Sequence, residues 1–504
     1  MQLDFSTQAH YLWALLPETV LSVWAMLVLL VDVFQKGSRS EPSRPVVAWL
    51  TFAGIALAAV ANAWLGTVQE TGTSGMMALD GFRVFTNYVF LLAAGLFVLT
   101  SERYLEQERM KYGELYVLML LATVGMMIFA GSRDLMLIFI ALELMSIAIY
   151  VLTGANRRDR RAAEAALKYF LLGAFSSAFF LFGVALVYGA AGSTNLVAIA
   201  DAVGVDGLGA SPMMLAGIAL LAVGFGFKVA AVPFHMWTPD AYDGAPAPVT
   251  GFMAAAVKAA AFAAFIRVFL TAFPSLHDTW GQVIAGLAVV TMIAANFVAT
   301  VEGSVKRMLA YSSIAHAGYL LVALAAASTT GAASFLFYLV VYTLMTVGAF
   351  AVVLVVARQG EGRVDLDWYA GLGWAKPALG VAMTVFLLSL AGFPFTGGFI
   401  GKFYILRAAV EKGMVPLAVI LVLASLVSYY YYLRVAWYMW FRPAPSDEVH
   451  EGITVSPGVR AVLIAAVIGI LWLGIFPGGM LDLAERSSAI FAEAPSVVMP
   501  LSGR

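Results

Sequence analysis

The chain contains no cysteine. That absence excludes disulfides, thiolate catalysis, iron–sulfur ligation and cysteine-ligated zinc together. A redox centre would have to come from a partner chain or a histidine-bound group. Histidine is scarce as well: His10, His235, His277, His316 and His450 are scattered, with no paired spacing for haem or a metal. Charge is the third shortage. Charged residues are 12% and hydrophobic residues 62% of 504, where a soluble protein carries roughly 25% charge. Lipid is therefore the expected solvent. The net charge of −1 offers no field for nucleic acid or an acidic substrate. Met1 to His10 holds no basic residue, and no small-residue cleavage site follows the first apolar run. A removable signal peptide is not expected, and the first span should stay in the mature protein.

What is abundant is apolar sequence of spanning length. Such stretches recur about 14 times, near 12–34, 46–66, 82–100, 114–130, 135–154, 164–190, 212–233, 248–273, 280–300, 308–327, 332–357, 377–410, 415–440 and 460–482. The expected fold class is an all-α membrane protein of about 14 transmembrane helices. Alternate connections hold Lys36, Arg39 and Arg44; Arg103, Arg109 and Lys111; Arg157, Arg158, Arg160 and Arg161; Lys306 and Arg307; Arg358, Arg363 and Lys376; and Arg442 and Arg460. About 17 basic residues fall on that side against about 5 on the other, so it should be cytoplasmic, with both termini on the opposite face. Trp437, Tyr438 and Trp440 fall where an aromatic belt at the headgroups is expected.

Two blocks of five spans, 114–273 and 280–440, read as copies, preceded by three spans in 1–113 and followed by a cytoplasmic loop and last span in 441–504. A shift of about 174 carries Lys228 to Lys402, Glu143 almost onto His316, Lys168 near Tyr342 and Lys258 near Tyr432. The fourth span of each block is broken by glycine and proline: Gly224, Gly226 and Pro233 in one, Gly392, Pro394, Gly397, Gly398 and Gly401 in the other. Five spans is an odd number, so consecutive copies enter the membrane in opposite senses and form inverted repeats.

Ionisable residues then stand out against the oil. A charge at bilayer depth costs at least about 2.5–3.5 kcal/mol, which makes it a functional candidate by default. Glu143 lies far from either end of DLMLIFIALELMSIAIYVL and needs a partner, naturally a lysine on a facing helix. Lys168 begins the next span, Lys228 sits at the first break, and Lys258 is mid-span in GFMAAAVKAAAFAAFIRVF. His316 in AYSSIAHAGYLL and Lys402 complete the series. Burial disfavours an ammonium and a nearby carboxylate favours it, so an amine held between the two can take up and release a proton. Freed backbone groups at a break need water or protein partners, so the breaks are expected to line wet cavities. Bland roles are expected elsewhere. Arg267, Arg407 and Arg434 should snorkel to span ends, and Glu18 and Asp32 should be interfacial.

The segment PFHMWTPDAYDGAPAPVTGFMAAAVKAAAFAAFIRVF, residues 233–269, resembles the proton-channel signature of the antiporter-like membrane subunits of proton-pumping NADH–quinone oxidoreductase (respiratory complex I), relatives of Mrp-type cation/proton antiporters. LLPETVL, Glu143 in its span, AYSSIAHAGYLL and LSLAGFPFTGGFIGKFYIL extend the likeness over nearly the whole chain. Three details favour the N-type subunit. The M type usually has glutamate at Lys402 and reads HTWLPDAH where this chain has HMWTPDAYDG, and the L type carries a long lateral helix. The resemblance implies Glu143 and Lys228 as a coupling pair, Lys258 as central relay and Lys402 nearest the exit. It implies no cofactor in this chain, with flavin, iron–sulfur clusters and the NADH site in partner subunits. Subunits K and M and the lateral helix of subunit L are the implied neighbours, in a hetero-oligomer of the bacterial inner membrane. Alternative readings are the paralogous subunit M, a cation/proton exchanger working without a redox partner, and a subunit that only bridges its neighbours.

Overall fold

Lipid offers no hydrogen bonds, so a spanning backbone must satisfy itself, and the apolar runs are accordingly helices. The computed structural model describes residues 2–3, 8–34, 45–70, 75–108, 110, 113–205, 211–357, 362, 364–445 and 447–491. Lys36, Arg39, Arg44, Arg109, Lys111, Arg358 and Arg363 lie outside the described residues.

The first spans are α2 (Leu16–Phe34), after a short α1 (Gln8–Ala14), then α3 (Pro45–Leu65) and α4 (Gly81–Gln107). The first block holds α5 (Glu114–Gly131), α6 (Leu135–Thr153), α7 (Arg160–Ala191), a short α8 (Leu196–Val205), α9 (Pro212–Val229) and α10 (Trp237–Gly244). Its last span joins α11 (Ala247–Phe252) to α12 (Lys258–Ala272) through a π-helical turn, Met253–Val257. The second block holds α13 (His277–Val301), α14 (Val305–Ala326), α15 (Thr329–Ala357), a one-turn α16 (Leu372–Ala375), α17 (Pro377–Ala391), α18 (Gly397–Glu411) and α19 (Val415–Phe441). The chain closes with α20 (Pro457–Ile475) and α21 (Gly478–Ser488). The only strands among the described residues are two-residue pieces, Gln2–Leu3 paired with Gln69–Glu70.

Among the described residues 13 helices are long and apolar enough to cross a membrane. The α17–α18 pair crosses in two halves and supplies the remaining span. Contacts confirm the alternation of direction. Arg83 at the start of α4 bonds Glu18 at the start of α2, and Arg267 near the end of α12 bonds Ala130 at the end of α5. These define a first face. On the second face, Lys168 and Arg307, from the starts of α7 and α14, both reach Asp240 of α10.

The copies are visible in their caps. Asp134 pairs with Asn195, and Ser304 pairs with Asp365. Both pairs are offset by 170 positions (134 to 304, 195 to 365). Asp134 and Ser304 each cap the helix that follows, accepting from backbone N–H groups. This register aligns Glu143 with Ser313 and Ser146 with His316, rather than Glu143 with His316. It also corrects the matching of Lys228 with Lys402. The left-handed residues that end the two broken halves are Ala230 and Gly392. Lys228 precedes its break and Lys402 follows its own. A single sequence shift cannot register both helices and breaks, because the connections differ in length.

Helices approach closely where side chains vanish. A Cβ on Gly183 of α7 would stand 2.9 Å from the Leu221 nitrogen of α9 and 3.0 Å from the Gly217 carbonyl, the small-residue contact that replaces hydrophobic drive in lipid. Burial is uneven. Of the 18-residue apolar stretch in the α11–α12 span, in α14 and in α15, 94% of residues are buried, against 28% in α2. The three central spans therefore form the protein's interior, and Lys258 and His316 lie on them.

Candidate functional site

Lys228 ends α9, where Ala230 takes a left-handed conformation (φ 62°). Its Nζ donates to the Ser146 hydroxyl at 2.7 Å and the Tyr150 hydroxyl at 3.3 Å. It faces the rings of Tyr150 and Tyr169 at 5.3 and 5.6 Å, a box that holds a cation by quadrupole attraction. Tyr169 stacks on Trp237 at 4.2 Å. Glu143 lies one turn before Ser146 and is half-buried, with Oε1 enclosed and lacking a hydrogen-bond donor. The expected Glu143–Lys228 contact is not formed: Ser146 and Tyr150 occupy the ammonium instead.

Protein groups reach part of the freed backbone at both breaks. The Phe227 carbonyl accepts from Trp237 Nε1 at 2.9 Å, and the Val232 N–H reaches Thr291 at 3.0 Å. At the second break Lys402 itself is the partner. It donates to the Leu390 and Ala391 carbonyls at 2.9 and 3.0 Å, seating its charge on the negative end of α17. Tyr429 donates to the Gly392 carbonyl at 3.0 Å. Aromatic and basic side chains thus reach the Phe227, Leu390, Ala391 and Gly392 carbonyls.

Lys258 follows the π-helical turn, a distortion common at functional sites. Its Nζ donates to the Ser313 carbonyl at 2.5 Å and to the Ser313 hydroxyl, which also accepts from Tyr342 at 2.9 Å. His316, one turn further on α14, meets the Tyr338 hydroxyl at 2.5 Å through Nδ1 and the Tyr432 hydroxyl at 3.1 Å through Nε2. Tyr432 in turn bonds Ser312. Lys402 stands 4.6 Å from the Tyr319 ring, which lies 5.3 Å from the His316 ring. Lys258, His316 and Lys402 are thus gathered around one stripe of α14, all at most 6% exposed.

Lys168 stands apart. Its side chain is 46% exposed and pairs with Glu164 at 2.7 Å and Asp240 at 2.8 Å on the second face. Two bland expectations are also corrected. Arg267 does not snorkel; it is buried, makes two bonds to the Asp80 carboxylate at 2.7 and 3.0 Å and donates to the Ala130 carbonyl at 2.7 Å. Glu18 is not interfacial, because Arg83 holds it at 2.8 Å in the interior. Arg407 does stay exposed, beside Glu411. Sequence reasoning missed Ser146, Tyr150, Ser313, Tyr319 and Tyr338. The available signal was spacing: Ser312, Ser313, His316 and Tyr319 share a helical face, as do Tyr338 and Tyr342. No group of three or more His, Asp or Glu among the described residues could hold a metal.

Paired discontinuous helices around buried amines define an antiporter-like membrane protein. A family model described as NADH:quinone oxidoreductase/Mrp antiporter, transmembrane, matches residues 132–428, and the chain belongs to that family. Among its members it is similar to NADH-quinone oxidoreductase subunit N. The protein of that name from Trichlorobacter lovleyi is 48% identical over 94% of this chain and 96% of its own length. The one from Gemmatimonas aurantiaca is 43% identical over 99% and 97%. A chain of respiratory complex I from Thermus thermophilus with bound Aureothin is 37% identical, with a TM-score of 0.77 over 93% of this chain and 99% of that one. The Mrp complex from Dietzia sp. shares the fold at 20% identity, with a TM-score of 0.82 over 96% and 98%. The family resemblance read from residues 233–269 is borne out.

Proposed function

We propose that this chain is the proton-translocating N-type subunit in the membrane arm of an NADH–quinone oxidoreductase, in a bacterial inner membrane. The observation that carries this reading is the buried line Lys258–Ser313–Tyr342 with His316, Tyr338 and Lys402 beside it. Hydroxyls can accept a proton on one side and donate one on the other, so rotation of the Ser313 and Tyr342 O–H groups can carry a proton to or from Lys258. Lys228 receives the proton near the second face, Lys258 is the central relay, His316 joins the halves and Lys402 delivers toward the first face. Glu143 governs the inlet: paired with Lys228 it holds the proton, and withdrawn it lets the proton move on. The Ser146-bound Lys228 and the unpaired Glu143 Oε1 fit the withdrawn arrangement. Lys168 takes an ion-pairing role at the inlet rather than a place in the line.

The second face is cytoplasmic by its basic connections, with both termini opposite. The units are 1–113, 114–273, 280–440 and 441–504. Quinone reduction elsewhere in the complex supplies the energy. Flavin, iron–sulfur clusters and the NADH site belong to partner subunits, and subunits K and M and the lateral helix of subunit L are the neighbours. Moving one charge against about 150 mV requires roughly 3.5 kcal/mol, which is within the scale of gaining or losing one buried ion pair. Replacing Lys258 by alanine in the assembled complex tests the reading. Proton flux per electron in reconstituted vesicles should fall, and undiminished flux refutes the assignment.

A further inference from the structure

The outward side of α19 carries an uninterrupted apolar stripe, including Val419, Leu426, Tyr430, Leu433, Trp437 and Phe441, all exposed. A helix of 27 residues rises about 40 Å, enough to cover the hydrocarbon layer and bring its end to headgroup depth. There the stripe runs into a crevice of about 590 Å³ lined by Asp367, Trp437, Phe441, Arg442, Pro443 and Pro445. Ligand sites commonly measure about 300–1,000 Å³.

The crevice carries one charge of each sign. Arg442, 4.5 Å from the Tyr438 ring, and Asp367 both line it, and among the described residues neither is in a salt bridge. Trp437 and Phe441 stack at 4.7 Å and form the wall that continues down the stripe. Pro443 and Pro445 offer no backbone N–H and keep the lip of the crevice from winding into helix. An aromatic belt alone anchors a protein without choosing a lipid. Opposite charges beside an acyl-chain track do choose.

We propose that this crevice binds a zwitterionic aminophospholipid. The guanidinium of Arg442 takes the phosphodiester, the carboxylate of Asp367 takes the ammonium, and an acyl chain lies along Trp437 and Phe441. An anionic glycerol headgroup would offer the Asp367 carboxylate only neutral hydroxyl donors in place of an ammonium. The site is separate from the amine line and does not depend on its chemistry.

The test uses the intact complex in vesicles containing phosphatidylethanolamine with a photoreactive acyl chain. Label should appear in the peptide holding Trp437–Arg442. Unlabelled phosphatidylethanolamine should compete it away, and phosphatidylglycerol should compete about tenfold less well, the scale of one hydrogen bond to a charged group. Asp367→Ala should remove that preference, and Arg442→Gln should remove labelling. Equal competition by the two lipids in the wild-type complex, which needs no variant to fold, overturns the proposal. Labelling confined to other parts of α19, or a neighbouring subunit filling the crevice so that no label enters, does the same.

Discussion

The Lys258 ammonium donates to both the backbone carbonyl and the hydroxyl of Ser313. One residue of α14 therefore holds the central amine of the first block against the second block. The carbonyl bond is independent of the side chain at 313, whereas the hydroxyl bond can pass a proton onward to or from Tyr342. Ser313→Ala separates the two. It keeps an acceptor for Lys258, removes the relay and leaves the buried Tyr342 hydroxyl without its partner. Proton flux per electron should fall about tenfold, the scale of one hydrogen bond to a charged group, while the complex still assembles. Flux equal to wild type, measured with a pH-sensitive dye in reconstituted vesicles, would remove Ser313 from the path.

Lys168 and Lys258 make opposite predictions. Lys168 is exposed and shares Asp240 with Arg307, so Lys168→Ala leaves Asp240 one cation and the α10–α14 tie intact. Exposed pairs add little stability and are screened by salt. Lys168→Ala should pump at close to the wild-type ratio, and any deficit should shrink at high ionic strength. A salt-independent loss matching that of Lys258→Ala would place Lys168 in the line after all.

How much of this was legible beforehand depends on which physics each residue answers to. The spans, the second break at Gly392, and the buried state of Lys228, Lys258 and Lys402 follow from chain-local facts: hydropathy, glycine and proline. The first break falls at Ala230, beyond Gly224 and Gly226, which lie inside α9. Pairing is not chain-local. Arg267 sits near the end of its span as a snorkelling arginine would, and only the fold brings Asp80 beneath it. Glu143 and Lys228 look like partners by charge, yet Ser146, one turn from the glutamate, offers the ammonium a shorter reach. Tyr150, Tyr319 and Tyr338 are not singled out, because an aromatic ring in an apolar run gives no sign of where its hydroxyl points.

The Asp80–Arg267 pair is both buried and on the first face, at the N-cap of α4. Breaking a buried pair by removing one partner costs about 3–5 kcal/mol, so Asp80→Asn should lower the yield of assembled complex and its thermal midpoint. Burial alone would push the Asp80 carboxyl up, but the Arg267 guanidinium and the Arg83 backbone N–H hold it down at about 2, below the ordinary 3.8. A depressed carboxyl stabilises the fold fully above its unfolded value and loses that contribution as pH falls through the folded one. Wild-type stability should therefore decline between about 3.8 and about 2, and this part of the decline should be missing in Asp80→Asn. Identical acid profiles for the two proteins would assign the pair no net role.

Gly398 tests whether Lys402 depends on how the two broken halves meet. A Cβ there would fall 1.9 Å from the Ser389 carbonyl oxygen and 2.7 Å from its carbon. These are backbone atoms of α17 and cannot rotate aside. Gly398→Ala must therefore push α18 away from α17, and Lys402, one turn further along α18, would lose its reach to Leu390 and Ala391. Overpacking of this kind costs about 1–3 kcal/mol or more. Gly286, mid-helix in α13 with nothing within 4 Å of its would-be Cβ, is the control, since Gly→Ala in a helix favours folding by about 0.5–1 kcal/mol. Gly286→Ala should assemble and pump as wild type, whereas Gly398→Ala should lose proton flux even where the complex assembles. If Gly398→Ala pumps normally, the α17 carbonyls are not what positions the Lys402 ammonium.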